Sequence, residues 1–309
     1  MNFQQLRIFR EAVRRGFNLT EVSEALFTSQ SGVSKHIKEL ESELGVELFV
    51  RRGKRLVELT GPGQEMIEIV ERMLRDAESL KSIAEQFSRR DEGTLSIATT
   101  HTQARYALPK VVIEFRRQFP KVHLTLHESS PDHIVEMLLD GRADIGVATE
   151  GLGENDQLAA YPFYTWQHVA IVPPGHPLEA ASPLTLARLA EHPLITYREG
   201  FTGRDRIDRA FAAAELEPQI VLSAMDADVI RTYVALGLGV GILASMAVAD
   251  ARPDDVRILP SDGLFEENTT WIAVRRGRFL RGFAYRFIEL CDPGLTEELV
   301  RRGSLATSG

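Results

Sequence analysis

The residues best suited to chemistry form one run, Ala98-Thr99-Thr100-His101-Thr102-Gln103-Ala104-Arg105-Tyr106, which ends an apolar stretch and opens a periodic one. Hydroxyls and an amide donate hydrogen bonds without a proton that titrates near neutrality. At a strand's carboxyl end and a helix's N-terminus they gain free backbone N–H groups and the positive end of the helix dipole. That setting suits a compact, permanently charged oxyanion such as sulfate. A helix cap explains one threonine, but four polar donors in five residues point to a ligand. Thr149 follows the apolar run Asp144-Ile145-Gly146-Val147-Ala148, and Thr202 precedes Gly203 at the start of another predicted helix. Singly, each of these threonines reads as a cap. Together, Thr100, Thr102, Gln103, Thr149 and Thr202 make the candidate effector-binding set, gripped between two halves as in hinge-closing binding domains.

A second constellation suits nucleic acid. A helix laid in the major groove needs short polar side chains near its start and long donors for bases and phosphates. Ser29, Gln30, Ser31, Ser34, Lys35 and Lys38 supply that mixture, and the face stays free of acids until Glu39. A predicted hairpin follows, with apolar strands on either side of Arg51-Arg52-Gly53-Lys54-Arg55. Arg51, Arg52, Lys54 and Arg55 at a hairpin tip suit phosphate or minor-groove contact, the other reading being a solubilising loop.

Three lookalikes carry no chemistry. Gly237-Leu238-Gly239-Val240-Gly241 follows a helix and precedes a strand, the wrong order for a dinucleotide loop. His123 and His127 share a strand face without a supporting carboxylate or cysteine pattern, so no metal site is expected. His101 lacks a serine or cysteine nucleophile motif, so an enzyme is not expected, nor is a cofactor.

These residues need particular elements to hold them. Helical spacing predicts a helix over 2–17, and Asn18 caps a short one over about 19–27. A further helix over 30–44 buries Val33, Ile37, Leu40 and Leu44 and stops at Gly45. Two short helices across a tight break, followed by a hairpin, make a winged helix-turn-helix over residues 1–60. Thr60 caps a long helix with Pro62 in its first turn. Met66, Val70, Met73, Ala77, Leu80, Ala84 and Phe87 then follow a heptad pattern between charged flanks, which makes residues 61–90 a linker that pairs protomers.

From 91 onward strands alternate with helices. Strands are expected at 94–99, 122–127, 144–148, 168–172, 194–197, 219–223, 239–243 and 269–274. Helices are expected at 103–118, 131–140, 185–190, 203–214, 226–236 and 278–290, which predicts an α/β domain with mainly parallel sheets. Its two halves cover about 91–162 with 268–300, and about 163–267, and residues 303–309 read as a frayed tail.

Composition bounds the class. The chain has 309 residues, 44% apolar and 26% charged, with a formal charge of −8. Residues 1–60 carry about +2 and the remainder is acidic. This pattern fits DNA contact confined to the head, although surface scatter explains it as well. No run approaches the roughly 18 apolar residues of a membrane span. The first 25 residues mix charge with apolar groups and lack a secretory signal's core. Cys291 is the lone cysteine, which excludes an internal disulfide framework and a cysteine-based zinc site. A cytoplasmic multidomain protein with no membrane partner is the expectation.

Leu19 to Glu41, Leu44-Gly45, Leu48-Phe49 and Leu59-Thr60-Gly61-Pro62-Gly63 resemble the DNA-binding signature of LysR-type transcriptional regulators. Ser23, Ser31 and Gly32 depart from the residues usual there. Ile97 to Pro109, Gly200 to Arg204 and Asp226 to Val234 resemble the effector domain of the CysB/Cbl subgroup, which controls sulfur assimilation and cysteine biosynthesis. The resemblance implies a winged helix-turn-helix head and a periplasmic-binding-protein-like effector domain of two subdomains. It also implies promoter DNA as partner, a homo-oligomer that is usually a tetramer, and RNA polymerase as a further partner. Thr100, Thr102, Gln103, Thr149 and Thr202 would hold an anionic effector: sulfate or thiosulfate, adenylyl sulfate, or O- or N-acetylserine. A solute-binding protein without a DNA role is the alternative.

Overall fold

The computed structural model describes residues 1–53, 55–88, 91–181, 183–249 and 254–305. These form two units, Met1–Glu85 and Gln86–Gly309.

In the first unit, Asn2 and Gln5 close a capping box that starts α1 (Phe3–Arg14). Asn18 caps α2 (Leu19–Ala25), accepting from Thr20 N at 3.1 Å. Ser29 caps α3 (Gln30–Leu44), which Gly45 ends with a left-handed φ of +72°. Val33, Ile37 and Leu40 are buried against Ile8, Phe9 and Phe49, as the spacing predicts. Leu44 departs from that stripe and is 36% exposed, because the last turn overhangs the core. Strands β1 (Phe49–Arg52) and β2 (Arg55–Leu59) pair antiparallel, with Arg52 opposite Arg55.

Thr60 Oγ1 accepts from Gly63 N at 3.2 Å at the start of α4 (Gly61–Ser88). Along α4 the expected seam runs from Val70, which is buried, to Met73 and Leu80, which are exposed, and its neighbours follow the same trend. Leu74 is buried with Val70 in the head core, whereas Ile83 lies exposed. The Phe87 side chain lies outside the described set.

The second unit holds two five-stranded sheets. The first contains β3 (Gly93–Thr99), β4 (Val122–Glu128), β5 (Ile145–Ala148), β6 (Leu158–Trp166) and β12 (Asn268–Arg275), in the order β4-β3-β5-β12-β6. The second contains β7 (His168–Val172), β8 (Leu194–Tyr197), β9 (Ile220–Ala224), β10 (Val240–Ala244) and β11 (Arg257–Leu259), in the order β11-β7-β10-β8-β9. Helices α5 (Pro109–Gln118) and α6 (Pro131–Leu139) connect the parallel strands of the first sheet. Helices α8 (Arg204–Ala213) and α9 (Ala227–Ala235) do so in the second, which α7 (Leu186–Ala190) leads into.

The sheets are mixed, not mainly parallel. Chain that crosses between the halves enters each sheet in the opposite sense, so β12 runs antiparallel to β5 and β6, and β7 to β10 and β11. The predicted helix over 103–118 is also two pieces. Gln103–Ala107 is a π-helical turn, and α5 starts at Pro109, whose ring supplies no N–H and suits a first turn. Strands β6 and β11 were not expected from the sequence. The expected tail is partly structured: α10 (Gly282–Cys291) is followed by α11 (Glu297–Leu305), which buries Val300 and Ser304. Residues 306–309 lie outside the described set.

Both parallel trios share one topology: the first strand is central, the second lies on one side and the third on the other. The crevice beyond the carboxyl ends of the first and third strands is the switch point of such a sheet, where ligands of open α/β folds bind.

Candidate ligand site and nucleic-acid interface

Thr100 and Thr149 both sit at the first sheet's switch point, following the adjacent strands β3 and β5. The Thr100 N–H donates to Val147 O at 3.4 Å. Thr100, Thr102, Gln103 and Thr149 are all buried. The Tyr164 hydroxyl of β6 donates to Gln103 Oε1, which turns the amide so that Nε2 has no partner. Thr102 Oγ1 lies beside the Tyr197 hydroxyl but completes no hydrogen bond. A hydroxyl so placed can accept from the tyrosine and donate to a ligand. Buried donors are almost always satisfied, so these two stand out as open to a further partner.

Thr202 brings the other half. It is 2% exposed and has φ +46°, a left-handed value that a β-branched residue adopts only when its surroundings impose it. Such strain costs roughly 1–3 kcal/mol and clusters at ligand clamps. His168 holds this corner. Its Nε2 donates to Thr202 O at 3.0 Å, while Nδ1 accepts from Asn268 Nδ2 at 3.2 Å. Arg206 Nη1 donates to Asn268 Oδ1 at 2.9 Å, which fixes the amide and with it the neutral tautomer of His168. Burial lowers the His168 pKa to about 4, so the ring stays uncharged at neutral pH. Gly203, at φ +71°, packs so tightly against His168 and Asn268 that no Cβ fits there.

Sequence reasoning missed Glu150. Its carboxylate crosses from the end of β5 to accept the Gly203 N–H, and Oε2 is shielded from solvent without a partner. Desolvation, the largest influence, raises its pKa to about 7. The signal was present as a carboxylate directly after Thr149. Tyr164, His168, Asn268 and Arg206 were missed too, and no local spacing announces them.

Arg204 is the cation nearest Thr202 in the chain, and it is already engaged. It donates to Tyr197 O and pairs with Asp208 at 2.8 Å. What the five predicted residues contribute is therefore neutral side chains, two of them with unspent donors.

A further contact ties the halves together. Asp228 of α9 accepts the Tyr106 hydroxyl at 3.0 Å and pairs with Arg105 at 2.6 Å, and His101 Nε2 lies 3.6 Å away. His101 Nδ1 meets Glu128 at 2.7 Å. Burial works against protonation of His101, but Glu128, Asp226 and Asp228 outweigh it and raise the pKa above 6.5. Among the described residues, the one His/Asp/Glu group close enough to hold a metal is His101, Asp226 and Asp228. Arg105 and Tyr106 already occupy Asp228, and neither His123 nor His127 joins the group. The Gly237–Gly239 run is the turn between α9 and β10.

In the head, Ser29, Gln30, Ser31, Lys35 and Lys38 are exposed along α3, with Ser34 half-buried. Ser29 Oγ spends itself capping the helix, with Ser31 Oγ at 3.1 Å. Lys35 lies 3.7 Å from Glu39. Arg52 and Arg55 are exposed on the wing, whereas Arg51 pairs with Glu41 at 2.6 Å. Glu41 also accepts from Leu48 N at 2.9 Å, so Arg51 helps anchor the wing. Lys54 lies outside the described residues. Phe27, at the turn before α3, has φ +49° and is 98% exposed.

Comparison with known proteins adds the lineage. Residues 3–64 match the bacterial regulatory helix-turn-helix protein model of the lysR family, and residues 88–295 match the LysR substrate binding domain. The chain belongs to the LysR family of transcriptional regulators. It is 54% identical over 297 residues to the HTH-type transcriptional regulator SsuR of Burkholderia cenocepacia, covering 96% of each chain. It is 51% identical over 308 residues to the transcriptional regulator Cbl of Escherichia coli, covering 100% of this chain and 98% of that one. The crystal structure of the cofactor-binding domain of the Cbl transcriptional regulator superposes with a TM-score of 0.67 at 48% identity, over 71% of this chain and 95% of that one. These relatives are transcriptional regulators and not enzymes, so this LysR-family chain is read as a regulator. Among the described residues, no helix is long and apolar enough to cross a membrane.

Proposed function

We propose that this LysR-family regulator controls genes of sulfur assimilation and cysteine biosynthesis in response to a small anionic effector held by Thr100, Thr102, Gln103, Thr149 and Thr202. The effector is of the sulfate class, which includes thiosulfate and adenylyl sulfate, or of the O- or N-acetylserine class. The observation that carries this reading is the shielded, unspent Thr102 Oγ1 and Gln103 Nε2 at a sheet's switch point, with no free cation from Arg204. The likeness to CysB, Cbl and SsuR regulators supports it.

In this reading α3 enters the major groove of promoter DNA, where Gln30, Ser34, Lys35 and Lys38 meet bases and phosphates and Ser29 and Ser31 permit close approach. Arg52, Lys54 and Arg55 of the wing run along the backbone, with Arg51 anchoring the wing through Glu41. The exposed Leu80 and Ile83 of α4 pair protomers, and the assembly is a homo-oligomer of the tetrameric kind, with RNA polymerase as a further partner. An anion that fits one arrangement of the halves better than another shifts their balance, and with it the DNA contacts. Thr100→Val and Thr102→Val should each weaken the response to effector and spare DNA binding. Calorimetry with sulfate and with N-acetylserine tests this, and unchanged affinity for both compounds in both variants would refute the site assignment.

A further inference from the structure

We infer that Glu150 is the specificity-determining residue of the cleft: it admits a fully ionised dianion only together with a proton. The inference rests on the anion-site reading above.

Its geometry is that of a carboxylate standing where an anion belongs. Glu150 directly follows Thr149, and its oxygen accepts the N–H of Gly203, which directly follows Thr202. That N–H opens α8, so the carboxylate takes the position an anion would take at a helix N-terminus. Two unspent donors, Thr102 Oγ1 and Gln103 Nε2, belong to the same switch point and are almost wholly buried. Oε2 itself is shielded and unpartnered. Ionised, it presents a bare acceptor and a negative charge, which repel sulfate. Protonated, the same oxygen becomes a donor.

The charges around Glu150 leave this choice to the ligand. From α8, Asp205 disfavours ionisation and Arg206 favours it, and both act less strongly than desolvation. His168, packed against Gly203, is neutral. Asn268 of β12 is uncharged. His101 at the first half's turn is engaged by Glu128 and Asp228. The Glu150 carboxyl titrates near neutrality, so binding of a dianion at neutral pH draws a proton from solvent without a large penalty.

The test is calorimetry of sodium sulfate on the full chain at about pH 5.5 and about pH 8.5, at constant ionic strength, in two buffers of different ionisation heat. Uptake of one proton predicts affinity about 30-fold weaker at the alkaline pH, with buffer-dependent heat. Glu150→Gln keeps an acceptor for Gly203 and a donor at the outer position. Its affinity should be the same at both pH values and should match the wild type at acid pH. Glu150→Ala, a second variant should the first fold poorly, should also lose the pH dependence. Wild-type affinity indifferent to pH, or a slope surviving in either variant and so belonging to His101 or another group, would overturn the inference. If Thr102→Val then still weakens binding, the anion-site reading stands alone. Sulfate failing to bind the wild type at either pH would overturn the inference, and N-acetylserine failing as well would overturn the anion-site reading.

Discussion

The reading face of the head and the cleft of the effector domain draw on the same short polar residues, serines, threonines and glutamines, yet use them through different physics. On α3, Ser31, Gln30, Lys35 and Lys38 stand in water. Their internal contacts are few and weak, such as the 3.7 Å approach of Lys35 to Glu39. In the cleft, Thr102 and Gln103 are shut away from water while donors remain unspent. A face built of exposed donors gains affinity by adding many small contacts, chiefly through counterion release. A buried site depends on each donor singly, because a desolvated group without a partner is expensive. The effector domain should therefore be sensitive to single atoms and single protons, and the head to overall charge.

The largest contrast lies in pH dependence. His168 has a folded pKa of about 4, below its ordinary 6.5, so the unfolded chain binds more protons between those values. The stability it contributes is complete above about pH 6.5 and is lost as pH falls toward 4. Glu150 has the opposite sign. Its pKa is raised to about 7, so its contribution is complete below about pH 4.5 and is lost as pH rises toward 7. Each shift corresponds to about 3 kcal/mol, and the two nearly cancel in the wild type. Glu150→Gln should unmask the histidine. Between about pH 7 and about pH 4.5, urea unfolding of that variant should lose about 3 kcal/mol relative to the wild type. Equal profiles would mean that these two groups do not differ as described.

Next comes Thr102→Val, which removes a donor that completes no bond within the protein. Sulfate affinity should fall about 10- to 100-fold by calorimetry, while thermal unfolding moves by no more than about 1 kcal/mol. A large loss of stability would make Thr102 a structural residue. In the head, Lys35→Ala and Lys38→Ala should leave unfolding unchanged. Each should lower the slope of log affinity against log salt by about 0.9 for promoter DNA. A slope unaltered in both would place neither lysine at a phosphate.

The smallest effect separates two wing arginines. Arg51→Ala breaks the pair with Glu41 and should cost at most about 1 kcal/mol of stability, whereas Arg52→Ala should change DNA binding alone. The reverse pattern would sink the distinction between an anchoring and a reading arginine.

Much of the architecture could be read from residue order. The α3 boundaries follow from Ser29 and Gly45, and Val33, Ile37 and Leu40 lie where their spacing puts them, because local caps and periodicity decide those features. The two-subdomain α/β class followed from alternating strands and helices. The mixed sheets did not, since the sense in which a crossing strand pairs depends on where the chain returns, as β12 does beside β5 and β6. Leu44 misled because periodicity cannot tell where a helix outruns its core. In the cleft, the run Thr100 to Gln103 was visible as a cluster of donors. Tyr164, which orients Gln103, is 61 residues away, and Asn268, which faces His168, is 100 away. No window of sequence joins such pairs. Glu150 was adjacent to a chosen residue and still went unread, because its role depends on Gly203 coming to meet it.

The central claim is that a small anion held by buried donors changes how the head engages DNA. The most direct measurement is fluorescence anisotropy of the full chain on a labelled promoter fragment, titrated with sulfate against chloride at fixed ionic strength, for wild type and Thr102→Val in parallel. The account predicts that sulfate shifts the wild-type DNA affinity about 5-fold or more while leaving the variant unmoved, a coupling within the usual range for linked sites. The same shift in both proteins, or none in the wild type at concentrations that saturate the cleft by calorimetry, would contradict it.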